Sequence, residues 1–183
     1  MNQDVADFLE RERIRYVLNM YARGVDRREW SLVADAYHTD GYDDHGGYKG
    51  DIPGLIAWLK RRHETIEQSM HFLGNCTVEL VSEAVAIAET YCVVYQRYGE
   101  DARETIDLWV GKESLPSGAK LMAELVCRYV DRFERRGGHW RIARRTVVME
   151  EVKASIEPVR LRPGYALSSR DRSDPLWKVP RDL

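Results

Sequence analysis

Apolar residues recur at helical spacing in the first part of the chain. They stand mostly three to five residues apart between charged positions, at Val5, Phe8, Leu9, Ile14, Val17, Leu18 and Tyr21. This period predicts an amphipathic helix that Gly24 ends. A short second helix is predicted within residues 28–41, where the Asp40–Gly41 pair forms a turn. A third is predicted from Ile52 over residues 53–68, after a glycine-rich passage at residues 42–51.

The second half of the chain changes to a strand pattern. β-Branched and aromatic residues dominate there, and alternation replaces the helical period. A polar turn at Ser82–Glu83 and the Gly137–Gly138 pair predict two hairpins. Four long antiparallel strands are therefore expected, at residues 71–81, 85–98, 120–135 and 139–152. Three helices on one face of such a sheet define an α+β domain.

Length and composition fit a single domain followed by a tail. A chain of 183 residues, 44% of them hydrophobic, can bury a substantial core. We place this domain at residues 1–154. Residues 155–183 are charged and interrupted by proline, so we expect an extended arm over the surface or onto a neighbouring subunit.

Charge and hydropathy exclude several classes of partner. The 28 basic and 30 acidic residues give a formal net charge of −2, so no nucleic-acid partner is expected. The N-terminus has no apolar signal-peptide core, and no run approaches the roughly 20 apolar residues of a membrane span. We therefore expect a cytoplasmic protein without membrane contact. Cys76, Cys92 and Cys127 stand in apolar stretches, which favours small buried residues over disulfides or metal ligands.

Two polar residues stand where a purely structural pattern would not place them. Asp26 follows the predicted first helix, where the helix dipole disfavours an anion. A cap of the second helix or a turn is an equally good interpretation of this residue. His71 is flanked by apolar residues at a strand start, where a lone histidine is more often a hydrogen-bonded structural residue than a catalyst.

A third polar candidate, Arg144, depends on strand parity. Regular alternation from Trp140 and Ile142 would aim its guanidinium at the core, where it would need an acidic partner or a bound anion. A β-bulge would instead turn Arg144 outward and send Arg145 inward. We favour Arg144. Four further residues are expected to line a cavity between sheet and helices, or to fill it: Tyr91, Tyr95, Cys127 and Tyr129.

Four strings between about Asp4 and Met149 resemble one known family. They are YARGVDRREW, SMHFLGNCTVEL, YCVVYQRY and GGHWRIARRTVV. The family is that of the SnoaL-like and scytalone dehydratase-like proteins, within the cone-shaped NTF2-like superfamily. It includes polyketide cyclases, bile-acid dehydratase and hexachlorocyclohexane dehydrochlorinase. The resemblance implies three N-terminal helices packed on a strongly curved antiparallel sheet.

The resemblance also implies roles for individual residues. In these enzymes an aspartate after the first helix orients a histidine that acts as general base or acid, which corresponds to Asp26 and His71. Tyr21 resembles a tyrosine of the bile-acid dehydratase site, and Arg144 resembles a cavity arginine. Tyr95, Cys127 and Tyr129 stand where scytalone dehydratase has histidine, serine and asparagine, so another substrate is expected.

The reaction class that fits is a cofactor-independent lyase or isomerase. A positioned base and a charge-stabilising Tyr or Arg suffice for proton abstraction beside a carbonyl, followed by loss of water or isomerisation. No cofactor or metal is expected, because residues 42–51 lack a phosphate-binding spacing and no ligand cluster is present. A homodimer or homotrimer that acts on a small cyclic molecule is predicted. The alternatives are a structural subunit, resembling the β-subunit of aromatic-ring-hydroxylating dioxygenases, and a small-molecule-binding module.

Overall fold

The computed structural model describes residues 2–111, 116, 119–158 and 163–180. Among the described residues, three helices and two shorter strands precede four long strands, and a further helix lies between the second and third of these. In chain order they are α1 (Gln3–Arg27), α2 (Trp30–Asp35), β1 (Tyr37–Asp44), β2 (Lys49–Asp51), α3 (Ile52–Arg62), β3 (Ile66–Ser82), β4 (Val85–Tyr98), α4 (Arg103–Val110), β5 (Ala119–Arg136) and β6 (His139–Pro158). A short 3₁₀ helix at Pro175–Lys178 follows.

The strands form one curved, unclosed sheet in the order β2-β1-β6-β5-β4-β3, with the N-terminal helices packed on it. The predicted α+β class is confirmed. Strands β3 to β6 pair antiparallel, as expected. The pairing of β1 with β6 is parallel, which local alternation did not predict.

Helix α1 is longer than predicted, because Gly24 does not end it. The helix continues to Arg27, and Arg28 closes it in the left-handed conformation, with φ of 55°. Gly24 is needed for close packing, since a Cβ there would lie 3.0 Å from Leu32 Cβ in α2. Asp26 therefore belongs to the last turn of α1 rather than to the linker.

Several element boundaries differ from the sequence prediction. Helix α3 ends at Arg62, after three basic residues that favour a helix C-terminus, and β3 begins at Ile66 rather than His71. Strand β1 occupies residues predicted as helix and glycine-rich loop. Its pairing with β6 is a tertiary contact, and such contacts override local propensity.

A β-bulge in β6 turns Arg145 inward, so the preferred placement of Arg144 was wrong. Phe133 pairs with Ile142, but Arg132 pairs with Arg144, which leaves Ala143 as an extra residue in β6. One extra residue reverses the parity of all that follow. Arg145 is consequently fully buried, whereas Arg144 is exposed and lies over the ring of Tyr42.

The C-terminal part of the described chain returns to the helices. Strand β6 extends to Pro158, past the predicted boundary at 154. In the segment at residues 163–180, Ser168 contacts β3 and Trp177 contacts α1 of the same chain. Arg170 is only 7% exposed and contacts the end of α1. The division into residues 1–154 and 155–183 stays a prediction. No helix among the described residues has the length and apolar character needed to cross a membrane.

Candidate active site

A cavity of about 270 Å³ opens between the inner face of the sheet and helices α1 and α3. Its apolar wall comes from residues such as Val25, Leu59, Val94 and Leu125. Polar and aromatic side chains from seven elements or their flanking turns reach it: Tyr21, His45, Trp58, Arg62, His63, His71, Gln96, Trp109 and Tyr129. A mostly apolar cavity with a few convergent polar groups is the usual form of a small-molecule site.

Asp26 and His71 form a tightly bonded pair at this cavity. Nδ1 of His71 lies 2.7 Å from Oδ1 of Asp26, and the backbone N–H of His71 donates to Oδ2 at 2.8 Å. The hydroxyl of Ser69 donates to Oδ1 at 2.9 Å. The carboxylate is thus held by hydrogen bonds from two residues of β3, Ser69 and His71.

This arrangement decides which nitrogen of His71 faces the cavity. Because Asp26 accepts a hydrogen bond, Nδ1 carries the proton in the neutral ring and Nε2 keeps its lone pair. Nε2 has no hydrogen-bond partner among the residues that the structure describes. A neutral His71 can therefore accept a proton from a molecule in the cavity.

The bonds to Asp26 keep it ionised. Burial alone would raise the pKa of this carboxyl. The hydrogen bonds from the ring and backbone of His71, its charge and the Ser69 hydroxyl together lower the pKa below the ordinary value of 3.8. An ionised Asp26 can stabilise the imidazolium that forms when His71 takes a proton.

This lowered pKa predicts a pH-dependent contribution to stability. A carboxyl with a depressed folded-state pKa stabilises the fold above its unfolded value, and loses that contribution as pH falls through the folded pKa. The difference in unfolding free energy between wild type and Asp26→Asn should therefore be greatest above pH 3.8 and shrink below it. Urea denaturation between pH 7 and pH 2.5 measures this difference. Asp35→Asn, at an exposed position, is the control. If the difference in unfolding free energy between wild type and Asp26→Asn grew as the pH fell, the lowered pKa of Asp26 would be contradicted.

Arg170 anchors the C-terminal segment beneath the pair. Its guanidinium donates to the carbonyls of Val25, Asp26 and Ile66 at 2.8–2.9 Å, and to Nδ1 of His63 at 2.6 Å. Carbonyls in the last turn of a helix lack partners four residues on. Arg170 donates to two of them here, those of Val25 and Asp26, and the Val25 carbonyl also accepts from the backbone N–H of Arg28. Asp26 is thereby held at the position from which it reaches His71.

His63 is a neutral donor rather than a base. Burial and the positive charge of Arg170 lower the pKa of His63 to about 2. Since Nδ1 accepts from Arg170, the ring proton sits on Nε2. His63 lines the cavity and can offer this N–H to an oxygen atom of a ligand.

A buried ion pair supports the cavity floor. Arg145 makes two 2.7 Å hydrogen bonds to Asp131, and both side chains are fully buried. Its guanidinium lies between the rings of Tyr21 and Tyr129, 4.3 and 4.1 Å from their centroids. Burial raises the pKa of Tyr21 although Arg145 opposes this, so the phenol stays protonated.

The predicted site residues fall into two groups. His71, Tyr21, Cys127 and Tyr129 line the cavity, and Asp26 stands directly behind His71. Tyr91 and Tyr95 do not line it, because they point from the outer face of β4 and are about half exposed. Val94, which pairs with His71, defines the inner face of β4. Arg144 also lies outside the cavity, for the reason of register given above.

Sequence reasoning missed four polar residues of the cavity. His45 sits in the glycine-rich passage, which was considered only as a phosphate-binding loop, and His63 and Arg62 were assigned to a helical stretch. Gln96 shares the inner face of β4 with Val94. Its carbonyl oxygen accepts from Tyr98 and Arg62, so its amide N–H groups remain available to a ligand. Correct assignment of the β4 face would have revealed it.

Within residues 2–111, 116, 119–158 and 163–180, no three His, Cys, Asp or Glu side chains are close enough to hold one ion.

Comparison with solved structures shows what the fold resembles. A type 2 hexachlorocyclohexane dehydrochlorinase, LinA, superposes with a TM-score of 0.71 at 16% identity, over 89% of this chain and 100% of that one. A protein described as a scytalone dehydratase from Novosphingobium aromaticivorans gives 0.67 at 15% identity, over 90% and 100%. A protein from the same organism described as an aromatic ring hydroxylase gives 0.63 at 18% identity, over 81% and 94%. Identities this low establish a shared fold only.

Sequence comparison gives the family. A search of curated proteins finds no match. The model of the SnoaL-like domain matches residues 6–146, which is most of the chain and includes most of α1, most of the cavity lining and the inward-facing Arg145. The chain belongs to the SnoaL-like family, and its fold is that of the NTF2-like superfamily.

Proposed function

We propose that the protein is a cofactor-independent lyase or isomerase that abstracts a proton from a small cyclic substrate. One observation supports this above all: His71, fixed by Asp26 at 2.7 Å, presents an unbonded Nε2 to the cavity. Proton transfer by a positioned side chain contributes typically about 100- to 10,000-fold to a rate. The names of the dehydrochlorinase and dehydratase neighbours, both elimination enzymes, agree with this class.

Donors in the cavity would stabilise the oxygen that gains negative charge. Loss of a proton beside a carbonyl places charge on the carbonyl oxygen, which a fixed N–H donor lowers in energy. The amide of Gln96 and Nε2–H of His63 both serve, because their other polar atoms are already bonded. Tyr21 is a third donor, whereas Arg144 and Tyr95 lie too far from the cavity for this task.

The size and lining of the cavity select a compact ring compound. Its volume, about 270 Å³, lies at the lower end of the range for ligand sites. Trp58, Trp109 and Tyr129 offer flat aromatic surfaces, and Arg62 brings a positive charge close to both tryptophan rings. A ketone of one or two rings with a hydroxyl group two carbons from the carbonyl carbon meets these conditions.

A structural role like that of a dioxygenase β-subunit is the second candidate, since one structural neighbour is described as a ring hydroxylase. Such a subunit has no use for an open cavity, and its interior would be filled by side chains. The open volume next to His71 therefore favours catalysis. A binding module would retain the cavity but not turn over a ligand.

Turnover of β-hydroxy ketones tests the proposal. The wild-type protein should convert 3-hydroxycyclohexanone to cyclohexenone, or 3-hydroxy-1-tetralone to 1-naphthol, faster than buffer does, and ¹H NMR follows both products. Saturable binding of both ketones without any product would support the binding module. The absence of both binding and turnover would support the structural role.

The outer face of the sheet predicts a homodimer or homotrimer. Met70, Phe72, Tyr91 and Tyr95 lie on neighbouring strands of that face and are 45–65% exposed. A contiguous apolar patch of this kind is usually an interface. Light scattering should give a multiple of 21.3 kDa for the wild type and a lower mass for Phe72→Glu. Leu108→Glu, at an exposed apolar position on α4, is the control and should leave the mass unchanged. A wild-type mass of 21.3 kDa, that of one chain, would disprove the interface.

A further inference from the structure

A second histidine–carboxylate pair reaches the same cavity from the other end of the sheet. His45 follows β1, near one edge, while His71 belongs to β3, the opposite edge strand. The curvature of the sheet brings both to one cavity, so that each lines it. The two pairs therefore face one ligand volume from different walls.

The geometry of the second pair repeats that of the first. Nδ1 of His45 lies 3.0 Å from Oδ1 of Asp43, which is fully buried. The hydroxyl of Tyr37 donates to Oδ2 of Asp43 at 2.6 Å. With Nδ1 engaged, Nε2 of His45 is left for a ligand, and in the described parts of the chain no hydrogen bond to it is found.

The ring of His45 is held rather than free to rotate. Its backbone N–H donates to the carbonyl of Tyr48 at 2.8 Å, and the ring packs against Trp58 with centroids 5.5 Å apart. The side chain is 19% exposed, which leaves a route for protons to and from solvent. A catalytic group needs both features, because it must be placed accurately and reset after each turnover.

The other histidines differ from this pattern. His38 bonds through Nε2 to the carbonyl of Glu134, and Nδ1 of His63 accepts from Arg170. His139 is exposed at the β5–β6 turn. Of the five histidines, only His45 and His71 combine a carboxylate on Nδ1 with a position at the cavity.

We propose that His45, oriented by Asp43, is the general acid for the leaving group. The inference rests on the proposed function. His71 Nε2 takes the proton from the carbon beside the carbonyl, which leaves an enolate with negative charge on the carbonyl oxygen. As the carbonyl re-forms, the electron pair of the enolate makes the carbon–carbon double bond and the carbon–oxygen bond to the hydroxyl breaks. The imidazolium of His45 gives its Nε2 proton to the departing hydroxyl, which leaves as water. His71 then releases its proton to solvent and His45 takes one up, so the enzyme returns to its initial state.

Because the acid and the base are different residues, a variant of the acid should slow one of two reactions and leave the other unchanged. Exchange of the C-2 protons of 1-tetralone in D₂O needs only the base. Loss of water from 3-hydroxy-1-tetralone needs base and acid. His45→Gln should slow water loss about 100-fold while exchange stays within about twofold of wild type. His71→Gln should lose both reactions.

A substrate whose leaving group needs no proton provides the second readout. Chloride leaves without protonation, so elimination from 3-chlorocyclohexanone should be unaffected by His45→Gln. Asp43→Asn keeps the shape of the side chain and should show the same split, and it replaces His45→Gln if that variant does not fold. Equal loss of exchange and of both eliminations in these variants would overturn the inference, as would unchanged water loss. Absence of exchange in the wild type would instead refute the proposed function itself.

Discussion

His71→Gln should reduce turnover of a β-hydroxy ketone by about 100- to 10,000-fold, while the protein stays folded. Glutamine preserves a polar side chain against Asp26 but has no lone-pair nitrogen to take a proton. The bond between the His71 backbone N–H and Asp26 survives the change. Steady-state kinetics should show the loss in kcat, since the proton is transferred only in the chemical step.

Two matched variants separate catalysis from structure. Asp26→Asn should also lower kcat, because an amide stabilises the imidazolium less well than a carboxylate does. His38→Gln replaces a histidine that is buried to a similar degree but lies outside the cavity, and it should leave kcat unchanged. A folded His71→Gln protein with full activity would reject His71 as the base.

Arg145→Met should destabilise the fold by about 3–5 kcal/mol. The substitution leaves the Asp131 carboxylate fully buried without its ionic partner, since within the described residues Arg145 donates both hydrogen bonds that this carboxylate accepts. It also removes the guanidinium from between Tyr21 and Tyr129. Urea denaturation at neutral pH measures the loss.

The adjacent arginine and a double variant provide the controls. Arg144→Met removes only an exposed guanidinium that lies 4.5 Å from the ring of Tyr42, and should cost no more than about 1 kcal/mol. Arg145→Met combined with Asp131→Leu should recover much of the stability, because no buried charge remains. If Arg144→Met proved the more harmful single change, the bulge at Ala143 would be misplaced.

The sequence predicted the features that depend on local periodicity. Apolar spacing identified α1 and the four long strands, whereas Asp26 and His71 were paired through the family resemblance, because their placement alone left a structural role open for each. The location of Arg145 depends instead on Ala143 having no partner in β5, which is a property of strand pairing. Nothing in the alternation of β6 alone distinguishes the two registers.

The face of β4 was misassigned for a related reason. Both faces of this strand are apolar, since Tyr91, Val93 and Tyr95 alternate with Cys92 and Val94. Only the register with His71, which pairs with Val94, decides which set faces the helices. The same error hid Gln96. His45 and Asp43 were missed because β1 joins the sheet through a parallel contact with β6, close to a hundred positions later in the chain.

Proton exchange at a ketone without a leaving group tests the central claim most directly. In D₂O, the wild-type protein should accelerate deuterium incorporation at C-2 of 1-tetralone, and His71→Gln should reduce the rate to that of buffer, because only Nε2 of His71 takes the proton. ¹H NMR of the C-2 signal gives both rates. Equal acceleration by wild type and a folded His71→Gln protein would contradict the account.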